Sequence, residues 1–193
     1  LWRGRNVQFA KKSIFVGGFV GLLGTFAVML SGDASGIHAA EYQPMKLAAM
    51  EGLEDGGRRA PFSIVPGVEI PGMLSILATH DLNGFVPGIN DILNGYTDND
   101  GNIIPSVAEK MEMGRTALDA LAQYRSLKDT DPSAAAAARE ILDANVQYMG
   151  YGYLESPQDV VPPVGIVYWS FRLMVGFGML IALVLVLTLW FNY

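Results

Sequence analysis

Two uncharged apolar runs, Ser13–Gly32 and Leu173–Tyr193, stand at the two ends of this sequence. Each is about as long as the twenty residues that an α-helix needs to cross a bilayer core of about 30 Å. From Lys12 to Asp33 a helix would rise roughly 32 Å. A signal peptide also places a basic stretch before an apolar one. Here the apolar run is too long, and no clean cleavage site follows it. All 19 acidic residues lie between the two runs. The predicted organisation is therefore a basic segment 1–12, a membrane helix 13–32, a loop domain 33–163 and a returning membrane helix 164–191. The fold class this implies is an all-α membrane protein, two transmembrane helices flanking a mostly helical loop. The chain opens on Leu1 within a basic, aromatic segment, as an internal piece of a longer membrane protein would.

Charge gives the orientation. Arg3, Arg5, Lys11 and Lys12 precede the first run and are expected to stay cytoplasmic, which puts the loop domain outside. That domain sets eight basic residues against 19 acidic ones, a net charge near −11. Such a surface is well solvated and repels nucleic acid. The absence of cysteine excludes disulfides, iron–sulfur ligation and thiolate zinc sites. His38 and His80 are too few and too far apart for a multi-histidine metal site.

Most of the loop reads as short helices. Pro44 suits the first turn of a helix that Gly56-Gly57 would stop. Phe62–Pro71 alternates weakly, but Pro66 and Pro71 spoil it as an interior strand. Met73–Thr79 and Gly88–Leu93 read as short helices near the membrane end. Tyr96–Asn102 (YTDNDGN) is a polar turn rather than a calcium loop: aligning Gly101 with the loop glycine puts Val107 where a glutamate is needed. Ser106-Val-Ala-Glu109 is a capping box opening a helix to about Lys128, with Met111, Leu118, Leu121 and Tyr124 on its buried face. Asp131-Pro132 caps a second, alanine-rich helix ending near Gly150. Tyr151–Pro163 reads as a linker back to the membrane.

The most informative stretch is Gly32–Glu51, GDASGIHAAEYQPMKLAAME. It leaves the membrane and places Gln43, Lys46 and Glu51 among alanine, leucine and methionine. An amide, an amine and an acid beside a bilayer could hold a molecule arriving from the lipid. Equally, the segment could be an amphipathic helix lying on the membrane with three solvated polar groups. Lys46 and Glu51 are about 140° apart on a helix, which argues against a simple salt bridge between them.

In the returning helix, Tyr168 and Trp169 mark the outer membrane interface and Trp190 and Tyr193 the inner one. Arg172 and Met174 lie roughly 5 and 8 Å below the outer belt. An arginine there can snorkel to the surface or serve a site, and a lone methionine is ordinarily packing. Two residues apart means about 200° of rotation, so the two side chains cannot point straight at one centre.

GD-x-SG followed by QPMKLAAME, together with Phe171-Arg-Leu-Met174 (F-R-x-M), resembles subunit I of the cytochrome bd quinol oxidases, in the form with a long quinol-binding loop. The resemblance covers almost the whole chain and is most specific at its two ends. It implies a quinol:oxygen oxidoreductase in a bacterial or archaeal cell membrane (the inner one if Gram-negative), with the loop extracytoplasmic. It gives Met174 the role of an axial ligand of low-spin haem b, and Arg172 a supporting role in charge compensation near that haem. It gives Gln43, Lys46 and Glu51 the quinol-binding roles, with Glu51 as the catalytic proton acceptor or relay. High-spin haem b, haem d, the remaining helices of subunit I, subunit II and small accessory subunits are implied for the complete enzyme. Glu69 matches no site residue of the family, and nothing functional carries over to 94–160. The reading from another class is a structural or assembly protein, two anchors displaying an acidic helical domain. It leaves both motifs as coincidences.

Overall fold

The computed structural model describes residues 6–192, so Arg3, Arg5 and Tyr193 lie outside the described residues. Two long helices, α1 (Val7–Tyr42) and α7 (Val164–Asn192), frame the chain, and both are long and apolar enough to cross a membrane. They pack on one another near the basic end. Gly18 and Gly21 of α1 receive Leu189 and Leu185 of α7, and Asn192 Nδ2 donates to Lys11 O at 2.8 Å. Little else covers them. Gly18 is the one buried residue described on α1, and none is buried on α7. Apolar surface of that extent needs lipid or further helices around it.

The first helix does not stop at Gly32. It runs ten residues further, roughly 15 Å into the loop domain. No proline interrupts this stretch, and the Ser31 and Ser35 hydroxyls donate back to Val28 O and Ser31 O, so the serines spend their hydrogen bonds on the helix itself. Pro44 ends it: a residue before proline is pushed out of the helical region, and Gln43 sits at φ −137°, ψ 53°.

Pro44 then opens α2 (Pro44–Glu51), which ends at Gly52 rather than at Gly56-Gly57. Gly52 takes the left-handed conformation that caps helices, φ 64°, and its N–H returns to Ala48 O and Ala49 O. A Cβ there would also press on the Tyr168 ring at 3.1 Å. The sequence expectation placed the stop one turn too late because it weighed a glycine pair above a single glycine in the right register.

The loop domain is built around α2. Leu47 joins Ala60, Leu74, Ala78 and Val86 in one buried cluster, while the adjacent Ala48 joins Ile89, Ile92, Val107 and Met111 in another. Neighbouring residues on a helix point about 100° apart, which lets one short helix serve two cores. The first cluster is completed by α3 (Met73–Thr79) and three short strands around it: β1 (Gly57–Arg58), β2 (Phe62–Val65) and β3 (Val68–Ile70). β2 and β3 form an antiparallel hairpin turning at Pro66-Gly67, so its proline lies in the turn and both strands are edges. β4 (Phe85–Val86) pairs with β1, and α4 (Ile89–Asn94) follows. β5 (Tyr96–Thr97) and β6 (Ile103–Ile104) close the polar turn, with Asp98 accepting from the N–H groups of Asp100 and Asn102.

The helical hairpin is α5 (Val107–Leu127) and α6 (Pro132–Asn145). Ser106 and Glu109 close the expected capping box, and Asp131 caps α6. The buried line of α5 differs from expectation: Met111 is buried, but Gly114, Ala117 and Ala120 fill the rest, and Leu118, Leu121 and Tyr124 are half-buried. Small residues are needed because Ala135 and Ala138 of α6 and a 3₁₀ segment, Val146–Tyr153, approach closely. Gly114 and Gly152 meet backbone to backbone, with no room for a Cβ at either. Thus α6 ends at Asn145, and the presumed linker is a packed 3₁₀ segment followed by a second, Pro157–Val160.

Candidate quinol and haem site

The strongest polar contact joins α2 to α7. Arg172 Nη2 donates to Glu51 Oε2 at 2.8 Å and Nη1 to Oε1 at 3.4 Å. The two side chains retain 7% and 2% of their exposure, so the charges are fully shielded from water. Two carbonyls, Met50 O and Ser63 O, also accept from the guanidinium. Tyr168 stacks over it with its ring centre 4.2 Å from Cζ, and its hydroxyl lies 2.8 Å from Ser63 Oγ. Arg172 does not snorkel; it turns up into the loop domain and fastens β2 and α2 to the returning helix. Its Nε is buried without a partner among the described residues.

Burial pushes the Glu51 carboxyl above the usual carboxylate range, against the pull of Arg172. Desolvation penalises the ionised form, and the single cation restores only part of the loss. A carboxyl so placed takes up a proton nearer neutral pH than an exposed glutamate.

Lys46 faces the other way. With Gln43 it lines a cavity of about 440 Å³ between the end of α1, α5 and the start of α7. Ile92, Val107, Val160 and Val167 form much of its wall, and Tyr42, Tyr96 and Tyr151 add aromatic rims. Val167, which lines the cavity, directly precedes Tyr168 in α7. An apolar pocket with a few polar groups is the form that small-ligand sites take. The structure thus brings Gln43 and Lys46 together and sets Glu51 apart from them, on the opposite face of α2. Gln43 is the cap before α2 rather than a residue on it. Glu69 is exposed on β3, opposite Ser63 in the hairpin.

Met174 is 64% exposed, on the side of α7 turned away from Arg172. Its thioether is open to whatever packs there. Among the described residues no cluster of His, Cys, Asp or Glu could hold a metal. Both histidines lie outside the apolar runs, His80 beside Asp33 at 3.7 Å and His38 beside Glu41 at 4.0 Å. The exposed Met174 thioether is a soft donor of the kind that can hold a haem iron from one side. The two Nη atoms of Arg172 are committed to Glu51 and two carbonyls, which leaves only Nε unspent.

Two features escaped the sequence reading. The Glu51–Arg172 pair joins residues 121 apart and has no local signature. Lys110, buried in the cavity wall, had one: it falls inside the apolar stripe Val107, Met111, Gly114, where a lysine is out of place.

Two helices long enough to span a bilayer, around a loop domain that grips the returning one, define a membrane protein. The chain belongs to the family of cytochrome bd terminal oxidase subunit I, whose family model matches residues 1–193. It is 30% identical over 203 residues to the cytochrome bd-II ubiquinol oxidase subunit 1 of Escherichia coli (strain K12), covering 98% of this chain and 39% of that protein. To the cytochrome bd ubiquinol oxidase subunit 1 of Bacillus subtilis (strain 168) it is 27% identical over 204 residues, covering 100% of this chain and 32% of that protein. The chain thus spans about a third to two fifths of the length of these relatives.

Proposed function

We propose that this chain forms the quinol-oxidising part of a cytochrome bd-type terminal oxidase in a bacterial or archaeal cell membrane. The observation that carries the reading is the two-sided use of α2. Its N-cap Gln43 and its Lys46 face an apolar cavity near the membrane, and its other face is locked through Glu51 to Arg172, two residues before Met174.

Quinol oxidation removes two electrons and two protons. Lys46 donates to a quinol oxygen and Gln43 can donate or accept, which orients the ring against the apolar wall. Glu51 is the proton acceptor. Because it lies across α2 from Lys46, the proton reaches it through a relay rather than by direct contact. Low-spin haem b, when bound, would supply the one-electron chemistry that quinol oxidation needs, with high-spin haem b and haem d implied for the complete oxidase. Met174 supplies its sulfur, a ligand that raises haem potential. Arg172 keeps Glu51 and α2 in register with that helix. Quinol, the other helices of subunit I, subunit II and small accessory subunits are the partners of this reading.

Lys46→Ala in the intact oxidase tests the cavity. It is expected to raise the KM for quinol about tenfold with little change in kcat, since a hydrogen bond from a charged donor is lost in binding alone. An unchanged KM would remove Lys46 from the site.

The loop domain is proposed to face outward, so protease added to right-side-out vesicles should cut at the exposed Arg58–Arg59 or Asp98–Gly101 turns. Cleavage confined to inverted vesicles would reverse the topology and place quinol oxidation on the cytoplasmic side.

A further inference from the structure

The cavity beside Lys46 has a second cation that the family motif does not contain. Lys110 of α5 is 91% buried, lines the cavity, and enters none of the ion pairs described for the chain. Its nearest favourable neighbour is the Tyr151 ring, 5.7 Å from Nζ to the ring centre. That ring is held there by the packed 3₁₀ segment, which the Gly114–Gly152 contact sets against α5. Most of the side chain is buried, while Nζ keeps some exposure and has no carboxylate partner among the described residues.

Resting on the reading of the cavity as a quinol site, we propose that Lys110 is a further binding residue, donating to a quinol oxygen from the α5 wall while Lys46 and Gln43 act from the α2 wall. Three observations support this. The side chain is nine-tenths buried yet has no ion-pair partner among the described residues, the lining apart from Gln43 and Lys46 is apolar and aromatic, and the two lysines belong to different walls of one cavity. A dihydroxy aromatic ring carries two oxygens on opposite sides, and cations on two walls match that chemistry. They also favour a ring whose oxygen has begun to lose its proton. Burial lowers the Lys110 pKa, which eases sharing of its proton with such an oxygen. The proposal gives the long part of the loop, residues 94–160, a direct part in substrate binding, by way of α5 and Tyr151.

The test is Lys110→Met in the intact oxidase, with Lys46→Ala in parallel. Lys110→Met is expected to raise the quinol KM about tenfold, leave kcat within about twofold and leave the haem spectra unchanged. Because the variant keeps a long, largely buried apolar stem and removes a lysine whose charged form burial disfavours, its Tm is expected to be equal or higher. An unchanged KM in Lys110→Met beside a raised one in Lys46→Ala would overturn the role of Lys110 and leave the cavity standing. Unchanged KM in both would overturn the cavity itself. A lowered Tm, or failure to assemble, would make Lys110 a structural residue and overturn the proposal as well.

Discussion

Glu51→Gln is expected to slow quinol oxidation by more than about tenfold, because a general base typically supplies a factor of 10² to 10⁴. The change keeps shape and removes the charge, and it also leaves Arg172 buried opposite a neutral amide. Breaking a buried pair from one side costs about 3–5 kcal/mol. The substitution therefore loosens α2 from α7 as well as removing a proton acceptor, and the two losses must be separated. An artificial donor that reduces the haem without using the loop should restore oxygen consumption if only the acceptor is missing. A double-mutant cycle with Arg172→Met measures the pair: residues in direct contact couple by about 0.5–3 kcal/mol, whereas independent ones add. The pH profile gives a third reading. As base, Glu51 must be ionised, so wild-type quinol turnover falls as pH drops through its raised pKa, at a higher pH than an ordinary carboxylate would give. Glu51→Gln should lose that limb. Retention of the limb in the variant would assign it to another group.

Met174→Leu is expected to abolish or shift the low-spin haem b spectrum while keeping α7 intact. Leucine and methionine are close in volume, and swaps of this kind usually cost under about 1.5 kcal/mol. The side chain is also 64% exposed in this chain, so nothing in the loop domain depends on it. What the change removes is the sulfur. A thioether raises haem potential relative to harder ligands, so any haem retained should show a lowered potential. An unchanged reduced-minus-oxidised spectrum with an unchanged potential would retire Met174 as a ligand.

The local architecture was largely legible. Apolar run length gave both spanning helices, and Ser106–Glu109, Asp131-Pro132 and Pro44 marked helix starts that the structure keeps. What failed were terminations. The helix leaving the membrane runs on to Tyr42 because glycine and serine weaken a helix without breaking it, and only Pro44 forbids it. The stretch from Tyr151 to Pro163 looked like a linker because glycine and proline are ambiguous locally. The close approach of Gly152 to Gly114 is a tertiary fact. Gln43, Lys46, Glu51 and Arg172 could be singled out in the sequence, but their arrangement could not. Helical geometry already separated Lys46 from Glu51 by about 140°. It could not say that Arg172, placed below the membrane interface by sequence, would reach back to neutralise Glu51.

The most direct test of the central claim is the rate at which quinol reduces haem b in the intact oxidase, followed by rapid mixing, for wild type and for Lys46→Ala combined with Glu51→Gln. The comparison is made on a double variant that has assembled with normal haem spectra, which shows that loosening α2 has not disturbed the haem. If α2 is the quinol-contacting helix, that haem should be reduced by quinol more than about tenfold more slowly, yet at the wild-type rate by an artificial donor. Near-normal reduction by quinol, at limiting as well as saturating concentration, would contradict the account and leave α2 a surface helix that only anchors the loop domain to the returning membrane span.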